Sequence, residues 1–150
     1  MPDNRINAPQ AWRTAVPEEL YSTNWIADRS AARLGERSED DAPFFLQMSL
    51  PDPHHPFTPP GRYWDMYDPA EITLPPTFGK GDLPPIRAMQ DAMAKGTDPR
   101  DNQNPFAVTE EEARSIIALT YGMITMIDDA IGRVLKRLDE LGMAEDTVVI

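Results

Sequence analysis

The 150-residue chain contains no cysteine. Disulfides, thiolate metal sites and a cysteine nucleophile are therefore excluded from it, and a reducing compartment is compatible with that. Positive charge is also scarce, with 14 Lys and Arg against 25 Asp and Glu and a net charge of -11. Nucleic acids and anionic lipid surfaces are held by clustered cations, so neither nucleic acid nor a membrane is expected as a partner. The same acidity repels a small anionic substrate at long range. Such a ligand needs a local cation, either a metal or positive groups turned into the site. No unbroken apolar run reaches the length of a membrane span. The N-terminal Met1-Pro2-Asp3-Asn4-Arg5 lacks the basic-then-apolar pattern of a secretory signal, so a cytoplasmic location is compatible. Histidine is limited to two residues, and both fall in one loop.

What the chain has in quantity is proline, with 16 residues, and proline frames its most informative stretch. Pro43-Phe44-Phe45-Leu46-Gln47-Met48-Ser49-Leu50 is short, mostly apolar and aromatic, which predicts a strand buried on both faces as in a parallel sheet. Pro51-Asp52-Pro53-His54-His55-Pro56-Phe57-Thr58-Pro59-Pro60 follows directly. In open α/β sheets ligands sit outside the carboxyl ends of strands, so a loop stiffened by proline at that place is where chemistry is expected. Each proline fixes its own φ and pushes the residue before it, here His55 before Pro56, towards extended geometry.

Residues 1–16 read as irregular. A helix is expected over Glu18 to Leu34, with Tyr21, Trp25, Ile26 and Leu34 among its apolar residues and Gly35 as its stop. Pro51 to Val108 is too long for an ordinary connection, yet Tyr63, Trp64, Met66, Tyr67, Phe78 and Phe106 make it richer in bulky residues than a disordered linker. It is expected to be an ordered excursion over the strand ends, with a short helix near Pro85 to Lys95 and a polar tip at Gly96 to Asn104. Glu110 to Leu141 carries the clearest helical pattern, because Ile117, Ile124, Ile127, Ile131, Val134, Leu138 and Leu141 recur at three- and four-residue steps. Thr109 and Glu112 form a capping-box pattern, Gly142 is a stop, and Gly122 and Gly132 inside the helix suggest close packing against a neighbour. Thr147 to Ile150 reads as a second buried strand. Strand, excursion, helix and strand make a βαβ unit with parallel strands and a right-handed crossover. Two strands are too few for a stable parallel sheet, so either further segments supply strands or the chain is part of a larger domain.

The residues alone leave several roles open. Adjacent histidines in a proline loop can serve simply as backbone caps. As a zinc pair they are poor, since neighbouring side chains diverge on extended backbone and no third ligand stands at a recognised spacing. Asp128-Asp129 could be a carboxylate pair, but successive helix positions point about 100° apart, which favours structural roles. Glu110-Glu111-Glu112 is most simply a charge-favoured helix start.

Taken in order, the elements carry more. Phe44-Phe45-Leu46-Gln47-Met48-Ser49-Leu50, Pro53-His54-His55-Pro56-Phe57, Tyr121-Gly122-Met123-Ile124 through Ile127-Asp128-Asp129-Ala130-Ile131-Gly132-Arg133-Val134-Leu135, then Leu141-Gly142 and Asp146-Thr147-Val148-Val149-Ile150 closely resemble the middle of sulfatase-family enzymes. The resemblance runs from Trp25 to the end, and on its strength residues 1–150 are assigned to the internal part of one catalytic domain of that kind, with 1–16 irregular and 17–150 resembling the family. It implies an α/β, alkaline-phosphatase-like fold and hydrolysis of small-molecule sulfate esters, with relatives acting on phosphonate and phosphate esters. It further implies a formylglycine nucleophile made from a Cys/Ser-x-Pro-x-Arg motif and a divalent cation, usually calcium. In the family's His-x-Pro element the first histidine contacts the sulfate group, which assigns catalysis and substrate contact to His54 and places His55 at the variable position beside it. Asp128 falls on a recurrent acidic position taken as structural. The nucleophile motif has no match, because Ser49-Leu50-Pro51-Asp52-Pro53 ends in proline where arginine is needed. No metal ligands are assigned, and the acidic motif that follows a strand like Thr147 to Ile150 is not reached. The expectation is an internal segment of a sulfatase, inactive alone. A phosphonate or phosphate ester hydrolase of the same superfamily is the alternative, and a non-catalytic binding module is the alternative of another class.

Overall fold

The structure, a computed structural model, describes residues 6, 8–39, 42–81, 83–96 and 107–150. Three α-helices organise it: α1 (Ser22–Arg37), α2 (Pro84–Ala94) and α3 (Glu110–Glu140). The core is built on α3, against which α1 and the 3₁₀ turns Gly61–Trp64 and Pro69–Glu71 pack.

The start of α3 follows the expected chemistry. The Thr109 hydroxyl accepts the Glu112 N–H at 3.2 Å and the Glu112 carboxylate accepts the Thr109 N–H at 2.7 Å, completing the capping box. At its other end Gly142 takes φ +69°, the left-handed geometry that glycine adopts freely. Of the stripe that the periodicity picks out, Leu138 is buried, Ile117, Ile127, Val134 and Leu141 are half-buried, and Ile124 and Ile131 are exposed, as are Tyr121 and Leu135 beside it. The deeply buried face includes Ala118, Leu119, Gly122, Met123, Met126 and Ala130. Counting bulky residues found the broader apolar ridge. The close contact is made where small residues let neighbours approach.

Gly122 and Gly132 differ in the same way. A Cβ on Gly122 would overlap the Tyr63 carbonyl oxygen, whereas one on Gly132 would meet nothing within 4 Å among the described residues. The close packing expected at both holds at Gly122 and fails at Gly132. By length and composition α3 could also cross a membrane. The sequence reading missed this because Thr120, Tyr121, Gly122 and Thr125 interrupt the apolar run without adding charge.

Helix α1 starts four residues later than expected, after a 3₁₀ turn at Glu18–Leu20, and runs through Gly35 to Arg37. Gly35 is therefore no stop. A Cβ there would lie 3.3 Å from a guanidinium nitrogen of the flexible Arg137 side chain of α3. Thr23, Ala27, Ser30 and Leu34 are buried at four-, three- and four-residue steps, and Trp25 is exposed. Of the bulky residues expected on its buried face Leu34 is buried, and small or hydroxyl side chains make up most of the rest.

The long excursion is ordered where it is described. Tyr63 and Trp64 are buried on α3, the Tyr67 hydroxyl lies 2.8 Å from that of Thr125, and the Arg114 guanidinium donates to the Ile72 carbonyl. It therefore packs along α3. Helix α2 begins one residue before its expected start, with Pro84 and Pro85 in the first turn where their missing N–H groups cost nothing. Most of the expected polar tip, residues 97–104, lies outside the described residues.

Pro43 to Leu50 and Thr147 to Ile150 are not helical, but among the described residues they form no strand ladder. The only bridge there joins Ala11 to Phe57 in parallel sense. Phe45 and Val148 are 86% and 87% exposed, so neither segment is buried on both faces. A ladder needs backbone partners within hydrogen-bonding distance, and none of the described residues supplies them.

Candidate functional site

The histidine loop is pinned at both sides of its base. The Phe57 N–H donates to the Gln10 carbonyl at 2.8 Å, and the His54 N–H donates to the Pro51 carbonyl at 3.2 Å. Asp52-Pro53 and His55-Pro56 are both cis. From the start of α1, the Tyr21 hydroxyl lies 3.4 Å from the Asp52 carboxylate on one arm of the loop and 3.4 Å from the Thr58 hydroxyl on the other. The buried Thr23 hydroxyl also donates to Asp52.

Burial pushes the Asp52 carboxyl above its ordinary range, and the hydrogen bonds from Thr23 and Tyr21 oppose that shift. Burial likewise raises the Tyr21 hydroxyl, keeping it a donor. The loop and Tyr21, Ser22 and Thr58 enclose an open cleft of about 470 Å³ whose walls include Asp52, His54 and His55.

Both candidate histidines thus line one cleft. His54 is exposed and His55 half-buried. Their rings lie 4.0 Å apart between centroids and 31° from parallel, so they stack instead of diverging. The expected divergence assumed extended backbone, whereas residues 52–56 turn. The His54 Nδ1 is 2.6 Å from the His55 carbonyl oxygen. A carbonyl only accepts, so Nδ1 carries the proton. Nε2 has no hydrogen-bond partner among the described residues and is the atom available to a ligand. To donate from Nε2 as well, the ring must be an imidazolium.

A second network ties the excursion to the helices. The Glu18 carboxylate accepts the Arg62 N–H at 2.8 Å next to Gly61, whose φ is +50°. The Arg62 guanidinium donates to the Tyr63 hydroxyl and to Asp129, each at 2.8 Å, and sits 4.8 Å above the Tyr63 ring. The Tyr63 hydroxyl, pushed up first by burial, donates to Asp129 at 2.8 Å. The structural acidic position of the helix is therefore Asp129, while Asp128 is exposed. Sequence spacing could not separate the two, because the distinction depends on where Tyr63 arrives. Asp52, Tyr21 and Thr23 were likewise not singled out, and the one signal was the placing of Asp52 between two prolines.

Among the described residues no group of three or more His, Asp or Glu side chains could hold a metal ion.

The chain matches the family model described as Sulfatase over residues 2–150. It is 34% identical to an arylsulfatase of Clostridium perfringens, over 89% of this chain and 26% of that protein. It is 28% identical to the multifunctional alkaline phosphatase superfamily protein PehA of Trinickia caryophylli, over 100% of this chain and 30% of that protein. Among solved structures it resembles the phosphonate monoester hydrolase of Agrobacterium radiobacter, with a TM-score of 0.68, 26% identity, and coverage of 98% of this chain and 30% of that one. The chain thus spans about a quarter to a third of the length of these relatives. Its helices and ordered excursion are a portion of the alkaline-phosphatase-like fold, and the chain belongs to the sulfatase family.

Proposed function

We propose that this chain is an internal part of a single sulfatase catalytic domain and that its His-x-Pro loop contacts the sulfate group of a small-molecule sulfate ester. The observation that carries this is His54: its Nδ1 is committed to the His55 carbonyl, and its Nε2 is unpartnered among the described residues at the wall of a cleft. As an imidazolium it would donate from Nε2 to a sulfuryl oxygen or to the leaving oxygen as charge develops there, which is general-acid or electrostatic assistance. His55 would support that ring from the adjoining position and line the same cleft. On this reading Pro43 to Leu50 and Thr147 to Ile150 become parallel strands of a βαβ unit once neighbours pair with them.

Sulfatases generally use formylglycine and a divalent metal. The residues described here do not fit either group, since there is no cysteine, the Ser49-Leu50-Pro51-Asp52-Pro53 stretch ends in proline where arginine is needed, and there is no cluster of metal ligands among them. Both would come from other parts of the complete protein, and this chain alone would be inactive. The likeness to a phosphonate monoester hydrolase supports a second reading, in which the ester is a phosphonate or phosphate.

The test uses the complete protein that contains this chain, assayed with aryl sulfate and aryl phosphonate monoesters. A higher kcat/KM for the sulfate is expected, and a preference for the phosphonate would select the second reading. His54→Ala should slow the preferred reaction about 10²–10⁴-fold, the range of a positioned acid or base. His55→Ala should cost less, because the backbone carbonyl that orients His54 remains. Equal, small losses at both positions would remove the role assigned to His54.

A further inference from the structure

We propose that Asp52 is a positioning residue: with Thr23 and Tyr21 it latches the arm of the loop before His54 to the start of α1 and so fixes where His54 meets its substrate. The inference rests on the assignment of His54 above.

The two arms of the loop are treated differently by α1. Behind His54, Thr58 is buried and lies within hydrogen-bond distance of Tyr21, and Phe57 is bonded to Gln10. Ahead of His54, the described hydrogen bonds that tie residues 51–53 to another element all end on the Asp52 carboxylate, one from Thr23 and one from Tyr21. The His54 N–H bonds to Pro51, so a shift of that arm moves the His54 backbone with it. The His54 ring follows, because its Nδ1 is held by the carbonyl of the next residue. Thr23 is fully buried and Tyr21 is half-buried. The latch therefore joins an exposed loop to the start of a helix that packs on α3. Asp52 itself need not touch substrate. What the latch requires is an acceptor at this position, not a charge, since both partners are hydroxyl donors. A misplacement on the order of 1 Å at such a site can cost about 10²-fold in rate.

The experiment compares kcat and KM of the complete protein on para-nitrophenyl sulfate for the parent, His54→Ala, Asp52→Ala, Asp52→Asn and the double variant Asp52→Ala/His54→Ala. Asp52→Ala should lower kcat about 10²-fold. Asp52→Asn, which keeps a carbonyl acceptor for Thr23, should stay close to the parent. In the His54→Ala background, Asp52→Ala should add little further loss, because residues that act as a unit are not additive. If Asp52→Ala stays at the parent level while His54→Ala is slow, the latch is refuted and the assignment of His54 stands. If Asp52→Ala costs the same factor in both backgrounds, Asp52 merely supports the fold and the proposal fails. If His54→Ala retains parent activity, the assignment of His54 fails and the latch falls with it.

Discussion

Helix α3 has two apolar faces with different fates. One carries Ala118, Leu119, Gly122, Met123, Met126 and Ala130 and is packed under α1 and the Gly61–Trp64 turn. The other carries Tyr121, Ile124, Ile131 and Leu135 and stays exposed. The exposed face has the larger, more hydrophobic side chains. Hydrophobicity sets how much is gained by covering a surface, but close approach decides which surface the described neighbours can cover. Gly122 admits a backbone carbonyl to van der Waals distance of the helix, and the methionines fill the irregular space beside it. Four branched or bulky residues on the open face would demand a broad, matching surface, such as a sheet, that the described residues do not contain.

Deep burial of the packed face sets the largest expected effect. Met123 is 0% exposed, so Met123→Ala removes buried atoms and leaves a cavity beneath the packed face of α3. A loss of about 2–5 kcal/mol is expected in denaturant unfolding of the complete protein. A loss below about 1 kcal/mol, the scale of one buried methylene, would show that the interior relaxes around the site and that the two faces differ less than their burial indicates.

The two glycines give a smaller effect whose sign changes along one helix. Alanine in place of glycine raises helix propensity by about 1 kcal/mol at either position. At Gly122 the new methyl overlaps the Tyr63 carbonyl, and overpacking of this kind costs about 1–3 kcal/mol. Gly122→Ala should therefore destabilise and Gly132→Ala should stabilise by about 1 kcal/mol. Stabilisation by both would mean that the Gly61–Trp64 turn gives way easily, and the comparison between the faces would lose its best-defined contact.

These contrasts also mark what was legible in the sequence. The capping box at Thr109 and Glu112, the stop at Gly142, the existence of all three helices and the presence of His54 and His55 in one proline loop follow from local rules, and local rules operate within a few residues. The face on which α3 packs, the difference between Gly122 and Gly132, and the choice of Asp129 over Asp128 all depend on where Tyr63 is delivered by a segment about sixty residues or more away in the chain. No periodicity encodes that. The loop held a similar limit. Its prolines pointed to stiffness, but the stacking of the two rings came from the turn at residues 52–56 and the anchoring of Asp52 came from hydroxyls on α1. The two apolar segments read as strands show the same dependence on partners, since a strand pattern specifies a ladder only where a neighbouring backbone arrives.

The smallest expected effect tests the open face directly. Ile124 is adjacent in sequence to Met123 but 47% exposed, so Ile124→Ala removes side-chain atoms that already contact solvent. In the complete protein its cost should stay within about 0.5 kcal/mol if the face remains as open as it is here, the usual range for surface substitutions. Helix propensity works in the same direction, because alanine relieves the restriction that a β-branched residue suffers against the preceding turn. A loss approaching that of Met123→Ala could then come only from apolar burial of Ile124 by residues beyond those described. That outcome would move Ile124, and with it Ile131 and Leu135 on the same ridge, from the exposed class to the packed class, and α3 would be a helix covered on both sides.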